Sequence, residues 1–149
     1  MRVPPRPRLH AQGAARYQGS LDSDEPPMPA PTATDVRIFV PALDLAVSKA
    51  FYVALGWQFN WEEGNLVELE LAGHRFLLQG YYERAWAENF MIHVSVDDAE
   101  AWHAHAATVV PQFPNTNVAP PKRQDYGAVV THVWDPCGVL LHFAQFDKT

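Results

Sequence analysis

The sequence predicts an α+β fold made of two copies of one unit: a strand, a helix opened by an aspartate, then three more strands. Three observations carry that prediction. Two stretches of helical spacing begin at Asp44 and Asp97, 53 positions apart. Each is preceded by a short β-branched or apolar run and followed by strand-like segments. Each unit closes on a tight hairpin with glycine in its turn, Gly73 in the first and Gly138 in the second.

In chain order, Val36-Arg37-Ile38-Phe39-Val40 reads as a strand stopped by Pro41. Asp44 is the N-cap of a helix whose Ser48, Phe51, Tyr52 and Leu55 share a face until Gly56. Trp57 to Trp61 alternates as a strand, Glu62-Glu63-Gly64-Asn65 turns the chain, and Leu66 to Leu71 runs back. Ala72-Gly73 then permits a two-residue turn into His74 to Gln79. That register sets Glu70 opposite Arg75, Glu68 opposite Leu77 and Leu66 opposite Gln79. One face is therefore polar, and Val67, Leu69, Phe76 and Leu78 form an apolar face for the helix to cover.

The linker from Gly80 to Asn89 holds Tyr81, Tyr82 and Trp86 without a clean period, as a short helix or a loop would. Phe90 to Val96 is a strand, and Asp97 with Glu100 forms a capping box for a helix reaching about Ala107. Val109 and Val110 begin another strand that Pro111 and Pro114 interrupt, and residues 115–125 form a polar loop. The closing hairpin turns at Asp135-Pro136-Cys137-Gly138. Pairing Trp134 with Val139 sets Thr131 against His142 and puts His132 on the opposite face.

A chain of 149 residues with 48% hydrophobic content is enough for one domain with a sizeable core, placed at residues 35–149 in modules of about 35–80 and 90–146. Residues 1–34 differ: seven of the thirteen prolines and Arg2, Arg6, Arg8 and Arg16 lie there with no apolar period, as in a disordered extension. Its prolines argue against a transit helix, and Met28 offers an alternative start. Net charge is −6 with no basic cluster in the patterned region, which argues against nucleic acid and anionic membrane as partners. A single cysteine, Cys137, excludes an internal disulfide and fits a reducing, cytoplasmic setting. No apolar run approaches the roughly 18 residues of a bilayer span.

Taken together, Ile38-Phe39-Val40-Pro41-Ala42-Leu43-Asp44-Leu45, Ser48, Phe51 to Trp57, Val96-Asp97-Asp98 and Asp135-Pro136-Cys137-Gly138 resemble the vicinal oxygen chelate superfamily, over about residues 35–146. That superfamily groups glyoxalase I, bleomycin-resistance proteins, fosfomycin-resistance enzymes and extradiol dioxygenases. The resemblance implies βαβββ modules curled around a cleft, often in a homodimer. It also implies metal-ligand positions at Ile38, Met91, approximately Gln79, and His142. Only His142 is a strong ligand, so the usual metal centre and any cofactor are expected to be absent.

Two functions follow from different classes. The first is a metal-independent protein that sequesters an aromatic or drug-like compound, with His93, His142, Gln79, Glu68, Tyr82 and Trp86 as candidate ligand contacts. The second is a divalent-metal lyase or isomerase similar to glyoxalase I. Its ion would be held by His93, His142 and Glu68, or His142 would act as base with Glu68 setting its tautomer. A pure dimerisation module is a third reading. Structural roles suit the rest: Trp57 and Trp61 under a helix, Trp102 on the apolar side of the second helix, Trp134 stapling the hairpin, His132 in the core or at an edge, and His103 and His105 in solvent.

Overall fold

The computed structural model describes Pro26 and residues 28–149. Most of the extension expected to be disordered therefore lies outside the described residues. Residues 28–35 are exposed and carry no helix or strand. One compact unit spans Val36–Thr149.

Its first module is β1 (Ile38–Pro41), α1 (Leu45–Leu55), β2 (Gln58–Glu63), β3 (Leu66–Leu71) and β4 (His74–Gln79). A one-turn helix, α2 (Arg84–Ala87), leads to β5 (Met91–Ser95), α3 (Ala99–Val109), a 3₁₀ turn (Val110–Gln112), β6 (Asn117–Gln124), β7 (Ala128–Trp134) and β8 (Leu140–Phe146). The sheets are ordered β1-β4-β3-β2 and β5-β8-β7-β6, so each module has the same topology, with one parallel pair and two antiparallel pairs. This is the α+β arrangement of paired βαβββ modules expected from the sequence.

The β3–β4 register agrees residue by residue with the sequence reading, with Glu70 opposite Arg75 and Glu68 opposite Leu77. Ala72 and Gly73 both take positive φ, the conformation of a two-residue hairpin turn that matches strand twist. Val67, Leu69 and Leu78 are fully buried, and Phe76 nearly so, under α1, whose Phe51, Tyr52 and Leu55 fill the same core. The second module adds Val133, Val139, Leu141 and Phe143 to that core. Trp57 lies within it, 6.3 Å from Phe143, and Trp102 of α3 stacks on Phe143 at 4.5 Å.

Three expectations are corrected. The N-cap of α3 is Asp98, whose carboxylate accepts from the Ala101 amide, so the helix caps of the two modules stand at Asp44 and Asp98. Val109 ends α3 instead of beginning a strand, and Pro111 is accommodated early in the 3₁₀ turn, where no amide donor is required. Residues 117–124, expected as loop, form the edge strand β6. Pro120 and Pro121 sit where its pairing with β7 shifts between Ala119 and Lys122, the bulged edge position that tolerates proline. His105 is exposed, as expected, and places Nε2 3.1 Å from the carbonyls of Ala54 and Leu55 at the end of α1.

The fourth correction moves a face. Trp134 pairs with Leu140, so the closing loop holds five residues, Asp135 to Val139. The Asp135 carboxylate accepts from the amides of Cys137 and Val139 at 2.7 and 3.0 Å, which winds the turn one residue wider than four. A one-residue slip transfers a strand's side chains to the other face. His132 therefore lies opposite His142, and Thr131 opposite Phe143.

Among the described residues no helix is long and apolar enough to cross a membrane.

Candidate binding face

Among the described residues, each sheet packs one face on the shared core and carries no helix on the other. On the first sheet the open face holds Glu68, which is buried at 3% exposure. Its carboxylate accepts from Arg37 at 2.7 Å and from Asn60 at 3.0 Å, with Arg75 3.9 Å away. Burial pushes this carboxyl up, but those hydrogen bonds and the two arginine charges outweigh it and hold Glu68 below the usual glutamate range. Glu68 is thus an ionised, satisfied member of a local ion network and is not aimed at a histidine.

On the second sheet the registers β5–β8 and β8–β7 place His93, His142 and His132 side by side. The rings of His132 and His142 lie 4.6 Å apart, edge to face. His142 Nε2 lies 3.4 Å from Met91 Sδ, and His93 Nε2 lies 3.1 Å from Ser95 Oγ. Trp134 flanks the row 6.2 Å from His132, and Phe146 flanks it 5.8 Å from His93. Burial, then the neighbouring His132 and His93, press the pKa of His142 below its ordinary value, and burial alone lowers that of His132. At neutral pH these two imidazoles are uncharged.

Beside the row, a groove of about 510 Å³ runs between Ile38, Val40, Trp57 and Phe76 on one side and β5, with Met91 and His93, on the other. A second groove, about 550 Å³, continues past Val94 and Ser95 to Asp98 and Trp102. Met91 is 63% exposed and contributes to both the row and the first groove.

Of the six candidate residues, His93 and His142 come together. Glu68 lies on the other sheet. Gln79, half-buried, is on that sheet too, opposite Leu66. Tyr82 and Trp86 belong to the connection around α2, where Trp86 sits 6.1 Å from both Tyr81 and Phe90, and neither lines the two grooves. His132 was missed because the turn was read one residue short. Cys137 is buried, accepts from the Leu43 amide at 3.0 Å, and so pins the closing turn to the start of α1.

The internal symmetry also relocates the expected metal corners. With Asp44 matched to Asp98, Phe39, which pairs with Leu77, corresponds to His93, which pairs with His142. Leu77, not Gln79, is then the counterpart of His142, and Arg37, not Ile38, the counterpart of Met91. Leucine and an ion-paired arginine offer no donor to a divalent ion, and a thioether is a poor one for Zn, Mg or Mn. Among the described residues no three His, Cys, Asp or Glu side chains are grouped to hold a metal ion. The donor set does not fit the family's metal centre.

The fold has close structural counterparts. A bleomycin-binding protein complexed with bleomycin aligns with TM-score 0.63 at 18% identity, covering 77% of this chain and all of that one. The bleomycin-binding protein from Streptomyces verticillus complexed with copper(II)-bleomycin gives TM-score 0.64 at 18% identity, over 80% of this chain and all of that one. This is the glyoxalase/bleomycin-resistance fold. A lactoylglutathione lyase from Agrobacterium tumefaciens shares that fold with TM-score 0.58 at 16% identity, over 78% of this chain and its own full length. No family model and no curated protein matches the sequence. At these identities the likeness fixes the glyoxalase/bleomycin-resistance fold and leaves function to the site.

Proposed function

We propose that this chain is a metal-independent small-molecule-binding protein of the bleomycin-resistance type. It takes an aromatic or drug-like compound in a cleft completed by a second copy of the chain. The observation that carries the reading is the open face of the second sheet, where Met91, His93, His142, His132, Trp134 and Phe146 form a continuous soft and aromatic surface with no helix or strand of the described residues over it. Flat rings stack well on such a surface, and the adjoining 510 Å³ groove suits a drug-sized ligand. Two structural counterparts are bleomycin-binding proteins, which supports ligand sequestration on this fold.

The homodimer rests on what one chain leaves open. Phe39 is 45% exposed and Phe146 48% exposed, each at an open sheet face, and a second copy would cover both.

The test is metal analysis of protein purified without added metal, followed by a chelator challenge in thermal unfolding and sedimentation of the same sample. No stoichiometric metal, an unchanged transition with chelator, and a dimer are the expected results. One metal per chain, with a chelator-sensitive transition, would sink the reading in favour of the lyase class.

A further inference from the structure

We propose that the open face of the second sheet is an anion-accepting platform, and that its ligand is a flat aromatic acid whose carboxylate or phenolate meets the His93–His142–His132 row. The proposal deepens the small-molecule reading above and rests on it.

Composition gives the first argument. The chain carries net charge −6, yet strands β5 to β8 contain no Asp or Glu at all, while they hold His93, Lys122, Arg123, His132 and His142. The first sheet has the opposite balance, with Glu62, Glu63, Glu68 and Glu70 in its strands. Arg123 is paired with Asp147 and the imidazoles are uncharged at neutral pH, so what the acid-free strands supply is a face on which they set no fixed negative charge against an arriving anion, with Lys122 as a fixed positive one.

Geometry gives the second. Three imidazoles stand at one level across three adjacent strands, and their cross-strand neighbours on the same face are Met91, Ser95, Leu140, Ala144, Val130, Trp134 and Ala119. The titratable groups there are the histidines themselves and Lys122, paired with Val130 on the edge strand. Of the carboxylates at the strand ends, Asp147 is held by Arg123, Glu88, which packs on Gly138, by Arg84, buried Asp135 by Tyr52 and Asp98 by the Ala101 amide, while Asp97 and Asp98 line the second groove beside Ser95, Ala144 and Phe146. Among the described residues no carboxylate stands beside the three imidazoles in the strand registers.

The hydrogen-bonding state gives the third. His142 Nε2 meets the Met91 sulfur, a weak acceptor, so an arriving carboxylate oxygen is a better partner than the one it has. The flanking rings of Trp134 and Phe146 supply stacking surface on either side. Binding an anion there favours the protonated imidazole, so ligand and proton are taken up together and affinity rises as pH falls.

The experiment uses three probes of one shape on the full chain: 2-naphthoate, the neutral 2-naphthamide and the cationic 2-naphthylmethylammonium. Each is titrated by Trp fluorescence and calorimetry at pH 6, 7 and 8. The expected result is naphthoate binding about tenfold or more tighter than the amide at pH 6, the size of a charge-assisted hydrogen bond, with the gap narrowing by pH 8 and the ammonium weakest. His142→Gln and His132→Gln should flatten the pH dependence of naphthoate binding. Calorimetry in two buffers should report proton uptake. Equal affinity for the three probes, pH-independent naphthoate binding, or no naphthoate binding each overturns the proposal. Equal affinities would leave the broader ligand-binding reading standing, whereas stoichiometric metal would remove that reading. If one Gln variant does not fold, the wild-type comparison of the probes still decides.

Discussion

The hydroxyl of Tyr52 donates a 2.8 Å hydrogen bond to the carboxylate of Asp135, tying the helix of the first module to the closing turn of the second. Both groups are buried, and the same carboxylate organises the turn through the amides of Cys137 and Val139. Tyr52→Phe keeps the ring in its edge-to-face contacts with Phe51, Trp57 and Phe76 but leaves Asp135 one donor short. The expected loss is about 2 kcal/mol, measured by urea denaturation at pH 7. A loss below a few tenths would mean that the turn holds without this bond.

Asp135 also sets a pH dependence. Burial raises its pKa from 3.8 to about 6, against the lowering effect of the Tyr52, Cys137 and Val139 hydrogen bonds. The folded state therefore binds more protons than the unfolded state between about pH 4 and 6. Stability contributed here is greatest at the acid side and falls as pH rises through the folded pKa. His132 and His142 act in the opposite sense, because a depressed histidine pKa costs stability as pH falls. The comparison that isolates Asp135 is with Asp135→Asn, which keeps an acceptor for the turn and cannot titrate. From pH 5 to pH 7 wild type should lose roughly 1 kcal/mol relative to that variant. A constant difference across the range would refute the assignment.

These two relationships show what the sequence could and could not convey. The β3–β4 register was readable because Ala72-Gly73 leaves one two-residue solution. The β7–β8 register was not, because its turn length depends on side-chain-to-backbone bonds from Asp135 and on burying Val139, which no local pattern announces. That single residue decided whether His132 belonged to the core or to the open face. Strand β6 was hidden by Pro120 and Pro121, whose lost donors matter little at a bulged edge. His93 and His142 were grouped through the superfamily resemblance, because alternation sets each face within its own strand and does not pair β5 with β8. The isolation of Glu68 followed from Arg37 and Asn60 folding over it, contacts at separations of 31 and 8 residues that a period does not encode.

The Arg37–Glu68 pair offers a test of whether that network stabilises the first sheet. Arg37→Met removes one donor from a carboxylate that remains buried beside Asn60, which should cost about 2 kcal/mol. Replacing both partners, Arg37→Met with Glu68→Leu, removes the charge that needed satisfying and should recover most of the loss. Thermal and urea unfolding of the two single variants and the double variant form the cycle. Additive losses would show that the two side chains do not act together.

The contact between helices predicts where the modules are joined most firmly. Gly56 ends α1 at φ 130°, its amide bonded to the carbonyls of Tyr52 and Val53, and a Cβ there would lie 3.5 Å from the Trp102 ring. Trp102 stacks in turn on Phe143, so one indole touches the end of the first helix and the centre of the second sheet. Trp102→Ala should cost about 3 kcal/mol through lost stacking and the cavity left behind. Gly56→Ala should cost about 1 kcal/mol or more, because alanine strains at that φ whatever space the indole leaves. If backbone strain dominates at Gly56, the two losses add in Gly56→Ala/Trp102→Ala. If crowding by the indole dominates, the double variant is more stable than the sum predicts, and urea denaturation of the four proteins distinguishes the two.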